Sequence, residues 1–218
     1  MLAPGAALLR LVEVMDTLRV ECPWDARQTH ESLAPHLLEE CYEALEALES
    51  GDPTAMRDEL GDVLLQVVFH ARVAAERTDG TGFTIDDVAA GIVDKLTRRH
   101  PHVFGDVEVS GPEEVKRNWD AIKAAERASA DAGAAPASAV DSVPFGQPAL
   151  ALAAQLQHRA ERVGVPPELA NQVGGDLGAE LFALVAKARR AGLDPELELR
   201  AAARRYADRV RAWEQARV

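Results

Sequence analysis

Apolar residues in this chain recur every three or four positions, segment after segment, and hardly anywhere alternate. Leu8, Leu11, Val12, Met15 and Leu18 share one helical face; Leu33, Leu37, Cys41, Leu45 and Leu48 share a second; Leu60, Leu64, Val67, Val68 and Ala71 share a third. A period near 3.6 suits a helix that packs on one side and does not suit a strand, whose side chains alternate. Composition agrees, because hydrophobic residues make up 47% of the chain but aromatics only 5%, and Ala, Leu, Glu and Arg lose little on entering a helix. The fold class expected is all-α, a helical bundle.

Punctuation residues set the expected boundaries. The first helix runs over about 6–20 and ends before Cys22-Pro23-Trp24-Asp25, because a proline disfavours helical backbone in the residue before it. Ser32 is the expected N-cap of the second helix and Gly51 its stop. Asp52 and Pro53 then occupy the N-cap and first-turn positions of a third helix, and so short a connection makes the two helices antiparallel neighbours. Thr84 and Asp87 predict a capping box ahead of a fourth helix, whose apolar side is Ile85, Val88, Ala89, Ile92 and Leu96. Pro112 with Glu113 and Glu114 opens a fifth, along which Val115, Trp119 and Ile122 line one side. Residues 128–142 are rich in Ala, Ser, Asp and Pro without apolar periodicity and read as a flexible linker between segments 1–127 and 143–218.

The 218 residues carry a formal net charge of −12. Such a chain repels polyanions, so nucleic-acid binding is disfavoured, and an anionic substrate needs a metal or a local basic cluster to meet it. Cys22 and Cys41 are too few for a disulfide framework or a structural zinc site. No apolar run approaches the ~20 residues that span a bilayer, and Met1 to Arg10 lack the basic start of a secretory signal. A soluble, cytoplasmic protein without a membrane partner is expected.

The chemistry concentrates on the second and third helices. Glu39, Glu40 and Glu43 fall within one turn, and Glu59 and Asp62 repeat the three-residue spacing that places side chains on one face. Gly61 removes a side chain where a ligand or a partner helix approaches. Taken alone, Glu39, Glu40, Glu43, Glu46 and Glu49 read as a solvated acidic face. Packed antiparallel, however, the two helices face four carboxylates at one another, an arrangement that repels unless a hard cation such as magnesium, or manganese in its place, sits among the oxygens. Lys95, Arg98 and Arg99 lie in the last turn of the fourth helix, where cations complement the macrodipole. Trp119 reads equally as core or as a ligand contact, and Trp24 as a buried anchor of its loop.

In order along the chain, Leu38-Glu39-Glu40-Cys41-Tyr42-Glu43 and Glu59-Leu60-Gly61-Asp62 resemble the EExxE and ExxD motifs of the MazG-type pyrophosphohydrolases. Their flanks resemble that family too: Cys22-Pro23-Trp24-Asp25 with Gln28-Thr29, the run from Lys95 to Phe104, and Trp119 with Lys123. The resemblance implies an enzyme of MazG-like helical fold that converts nucleoside triphosphates to the monophosphate and pyrophosphate. It further implies magnesium on Glu40, Glu43, Glu59 and Asp62, substrate contacts from Lys95, Arg99, Trp119 and Lys123, and a homodimer. Glu39 is then a candidate base for the attacking water. A degenerate second copy shows in Gly175-Asp176-Leu177-Gly178-Ala179-Glu180-Leu181 laid on Asp58-Glu59-Leu60-Gly61-Asp62-Val63-Leu64; it has Ala179 opposite Asp62 and no EExxE before it. The chemistry is therefore expected in the first half, with the second as a packing or dimer element. The competing expectation is a non-catalytic helical protein whose acidic face binds a basic partner.

Overall fold

The computed structural model describes residues 5–130 and 138–217, and these are helical with no strand among them. Two compact units divide the chain, Met1–Ala125 and Glu126–Val218. The first holds α1 (Ala6–Glu21), α2 (His30–Ser50), α3 (Pro53–Ala74), α4 (Ile85–Arg99), the one-turn α5 (Pro101–Phe104) and most of α6 (Pro112–Ala130). The second holds α7 (Ala149–Arg162), α8 (Asp176–Arg190) and α9 (Pro195–Gln215). Of the linker expected over 128–142, residues 128–130 continue α6, residues 131–137 lie outside the described residues, and residues 138–142 form a turn in which the Asp141 amide donates to the Ser138 carbonyl at 3.1 Å.

The α2–α3 hairpin organises the first unit. Gly51 takes a left-handed conformation with φ 73°, and Asp52 caps α3 by accepting the Thr54 amide at 2.8 Å, so the chain reverses within two residues. At the other end of α2 the N-cap is Thr29, not Ser32; Ser32 sits three residues on and closes a capping box with it. Hydroxyls at both positions made the sequence ambiguous here. Thr84 and Asp87 form the expected capping box on α4. Pro101 follows the end of α4 and starts α5, where its missing N–H costs nothing.

Met15, Leu33, Val68 and Phe69 form the core, with Leu11, Val12, Leu64, Leu65, Val73 and Ile85 packed around it. On α2 the buried stripe is Leu33, Ala44 and Ala47, while Cys41 and Leu48 stay exposed. The inward face is thus rotated from the one that leucine spacing suggested, and small alanines let α3 come close. That rotation turns Glu40 toward α3.

Arg19 ties the next loop down. Its guanidinium donates to both Glu76 oxygens at 2.8 Å and to the carbonyls of Asp25 and Gln28, so the end of α1, the 22–28 loop and the segment after α3 share one buried cation. The pairing holds the Glu76 carboxyl below its ordinary range.

In the second unit the Gln157 amide donates to the Phe182 carbonyl at 2.8 Å, and Arg189 bridges to Glu161 at 2.6 Å, fastening α7 to α8 beside buried Val185.

His30 and His70 meet at the far end of the hairpin, with parallel rings and Nδ1 atoms 2.8 Å apart. One nitrogen must donate and the other accept, so the pair is built for a single shared hydrogen. Burial, and then the neighbouring His30, hold the His70 imidazole below its ordinary pKa. The folded state therefore binds this proton less readily than the unfolded chain, and the stability tied to neutral His70 is complete above the unfolded value of about 6.5 and lost as pH falls below it. Melting curves at about pH 7.5 and about pH 5.5 should show a larger acid-induced fall for the wild type than for His70→Phe. Equal falls would show that the pair carries no linkage.

Candidate metal and phosphate site

Glu40 and Glu43 on α2 and Glu59 on α3 each bring a carboxylate oxygen to within 4.8 Å of the others. Glu40 and Glu59 are half-buried and Glu43 is exposed, so the group opens to solvent on one side. Asp62 lies outside this triplet but is the strongest charged neighbour of Glu40. Glu39 is turned to solvent, one oxygen 3.8 Å from Nδ1 of His36. Desolvation raises the Glu40 carboxyl above its ordinary range, followed by the charges of Asp62, Glu43, Glu39 and Glu59. Desolvation likewise raises Glu59, followed by Glu43, Asp62 and Asp58. Among the described residues none of the three has an ion pair with a basic side chain.

That balance tests the fit of a metal. Converging carboxylates without a counter-cation resist joint ionisation, and an all-oxygen donor set without His or Cys is the chemistry of hard divalent ions. The residues fit magnesium. Of the two approaches expected at Gly61, that of a partner helix is not seen, because a Cβ built there meets nothing within 4 Å. The chain's own helices do not require a glycine at that position.

Of the basic candidates, Arg99 at the end of α4 meets α6 at Trp119. Arg99 places its guanidinium 5.3 Å from the centre of the Trp119 ring, a cation–π contact, and His100 packs its ring against the same indole at 4.9 Å. His100 in turn bonds through Nδ1 to the Leu96 carbonyl at 2.7 Å. Lys95 stands one turn before Arg99 on α4, and Lys123 one turn after Trp119 on α6. Trp119 is thus neither plain core nor an open platform.

A family model described as the MazG nucleotide pyrophosphohydrolase domain matches residues 28–104. The nucleoside triphosphate pyrophosphohydrolase/pyrophosphatase MazG of Thermotoga maritima is 38% identical over 97% of this chain and 87% of its own length. The chain belongs to the MazG family. A similar relative, 48% identical over 97% of this chain and 84% of its own length, is an uncharacterized 26.1 kDa protein of Streptomyces cacaoi. The nucleoside triphosphate pyrophosphohydrolase of Escherichia coli K12 is 41% identical over 85% of this chain and 69% of its own length. The MazG match takes in all five acidic candidates together with Lys95 and Arg99, and stops short of Trp119 and Lys123.

Sequence reading overlooked Gln66 and His70, although they continue the stripe of Glu59 and Asp62 along α3 at helical spacing. Gln66 is buried, and its Oε1 has no hydrogen-bond partner among the described residues. Trp24, expected to be buried, is 49% exposed.

Replacing one like charge should relieve the repulsion. Glu40→Gln should raise the melting temperature of the metal-free protein at neutral pH and abolish the further rise that magnesium gives the wild type. A variant that kept the full magnesium response would remove Glu40 from the ligand set.

Proposed function

We propose that this chain hydrolyses nucleoside triphosphates, ribo- and deoxyribo-, to the monophosphate and pyrophosphate with magnesium, in nucleotide-pool housecleaning. The supporting observation is the uncompensated convergence of Glu40, Glu43 and Glu59 within a matched MazG segment. Relatives named as nucleoside triphosphate pyrophosphohydrolases support the same reading.

Glu40, Glu43 and Glu59 would hold the ion, with Asp62 completing the set. When bound, magnesium supplies charge neutralisation to phosphate oxygens that this acidic chain would otherwise repel. Glu39, free of the triplet and open to solvent, takes the proton as a water oxygen bonds to phosphorus and the anhydride oxygen leaves with pyrophosphate. Lys95, Arg99 and Lys123 bind phosphate, and Trp119 holds the Arg99 guanidinium over its ring.

We assign the working form as a homodimer. Helix α4 buries none of its residues and leaves Val88, Ile92, Val93 and Leu96 exposed, an apolar face that a second copy would cover. The second unit, in which a short 3-10 helix (Pro167–Gln172) lies between α7 and α8 and Ala179 stands where the first copy has Asp62, serves as a packing element. No helix among the described residues is long and apolar enough to cross a membrane. With two free cysteines and a net charge of −12, we assign it to the cytoplasm and exclude nucleic acid as a partner.

Release of monophosphate and pyrophosphate from a panel of nucleoside triphosphates should depend on magnesium, with manganese as a working substitute. Glu59→Ala should lower kcat by at least about a hundredfold. A folded wild-type chain inactive on the whole panel would favour the acidic-face binding protein instead. In sedimentation the wild type should show twice the chain mass, and Ile92→Glu should give monomers; an unchanged mass would move the interface off α4.

A further inference from the structure

We propose that Trp24, Gln66 and His36 form the seat of the nucleobase, an assignment that rests on the triphosphate reading above. Helices α2 and α3 meet in antiparallel layers. Glu43 and Glu59 share the carboxylate triplet, Asp62 is the main charged neighbour of Glu40, Leu33 and Phe69 lie in one core cluster, and His30 bonds His70. Between the Glu40–Asp62 layer and the apolar Leu33–Phe69 layer that register leaves His36 on α2 and Gln66 on α3. This layer is one helical turn, about 6 Å, from the carboxylates. A ribose spans a similar distance between a phosphate and its base.

Trp24 flanks the layer from the 22–28 loop. Its ring meets His36 at 6.1 Å and Phe69 at 6.4 Å, both edge to face, and still leaves half of its surface open. A large indole kept half open on a loop that buried Arg19 fixes in place is a preformed stacking surface. Gln66 supplies the polar complement. It is only 6% exposed and its Oε1 has no partner among the described residues, a state uncommon in folded proteins and one that leaves an acceptor for a ligand N–H. Every nucleobase has at least one N–H that this oxygen can accept, so the contact selects for a base without preferring one. The other tryptophan of the first unit, Trp119, already has Arg99 and His100 against its ring.

The test compares nucleoside triphosphates with inorganic tripolyphosphate, which offers the same phosphate chain without a base. Steady-state kinetics and tripolyphosphate inhibition are measured on the full chain for wild type, Trp24→Ala, Trp24→Phe and Gln66→Leu, with magnesium present. Trp24→Ala should raise KM about tenfold for every triphosphate, and Trp24→Phe should recover most of that loss. Gln66→Leu should also raise KM, in similar proportion for all four bases. Inhibition by tripolyphosphate should stay within about twofold of wild type in all three variants. Triphosphate and tripolyphosphate weakening together would overturn the seat and leave Trp24 as a loop anchor; so would an unchanged KM in both Trp24→Ala and Gln66→Leu. If Trp24→Ala fails to fold, the Gln66→Leu comparison decides by itself. A wild-type chain that hydrolyses no triphosphate would overturn the underlying function, and the seat with it, an outcome distinct from loss in the variants alone.

Discussion

The close antiparallel contact of α2 with α3 is the constraint on which the rest of the first unit depends. A two-residue reversal at Gly51 and Asp52 sets the helices side by side, and Ala44 and Ala47 let them approach closely. Once the register is set, its layers alternate in chemistry: carboxylates at the hairpin end, a mixed aromatic and amide layer next, then Leu33 on Phe69, then the histidine pair. Apolar burial at one end holds the charges together at the other.

Glu40 and Glu59 are raised above the ordinary carboxylate range first by desolvation and then by neighbours of like charge, with no basic partner among the described residues to offset either. Arg19 shows the contrast. It is buried, and two carboxylate oxygens and two carbonyls answer it. The chain can thus satisfy a buried charge where only structure is at stake, and it leaves the Glu40 group unanswered. A cation from outside the polypeptide is the natural complement.

Much of this was legible in the sequence. Helical periodicity, the Gly51-Asp52-Pro53 reversal and the Thr84–Asp87 capping box are local signals, and local signals survive without tertiary context. The spacing of Glu40 with Glu43, and of Glu59 with Asp62, put each pair on one face for the same reason. Their ordered flanks brought in the MazG resemblance before any coordinate was needed.

The sequence by itself therefore determined the helices, the hairpin and which residue types hold the chemistry, since each depends on neighbours a few positions apart. Tertiary structure alone decided which stripe of α2 faces inward, that Glu40, Glu43 and Glu59 converge while Asp62 flanks them, and that Arg99 lies on Trp119. It also decided that His30 meets His70, that Trp24 stays half open, and that the Oε1 of buried Gln66 is left without a partner among the described residues. A helical face is more than one residue wide, so spacing cannot distinguish Cys41 from Ala44 as the inward residue. Close packing against a specific partner makes that choice, because only one rotation of α2 lets small side chains meet α3.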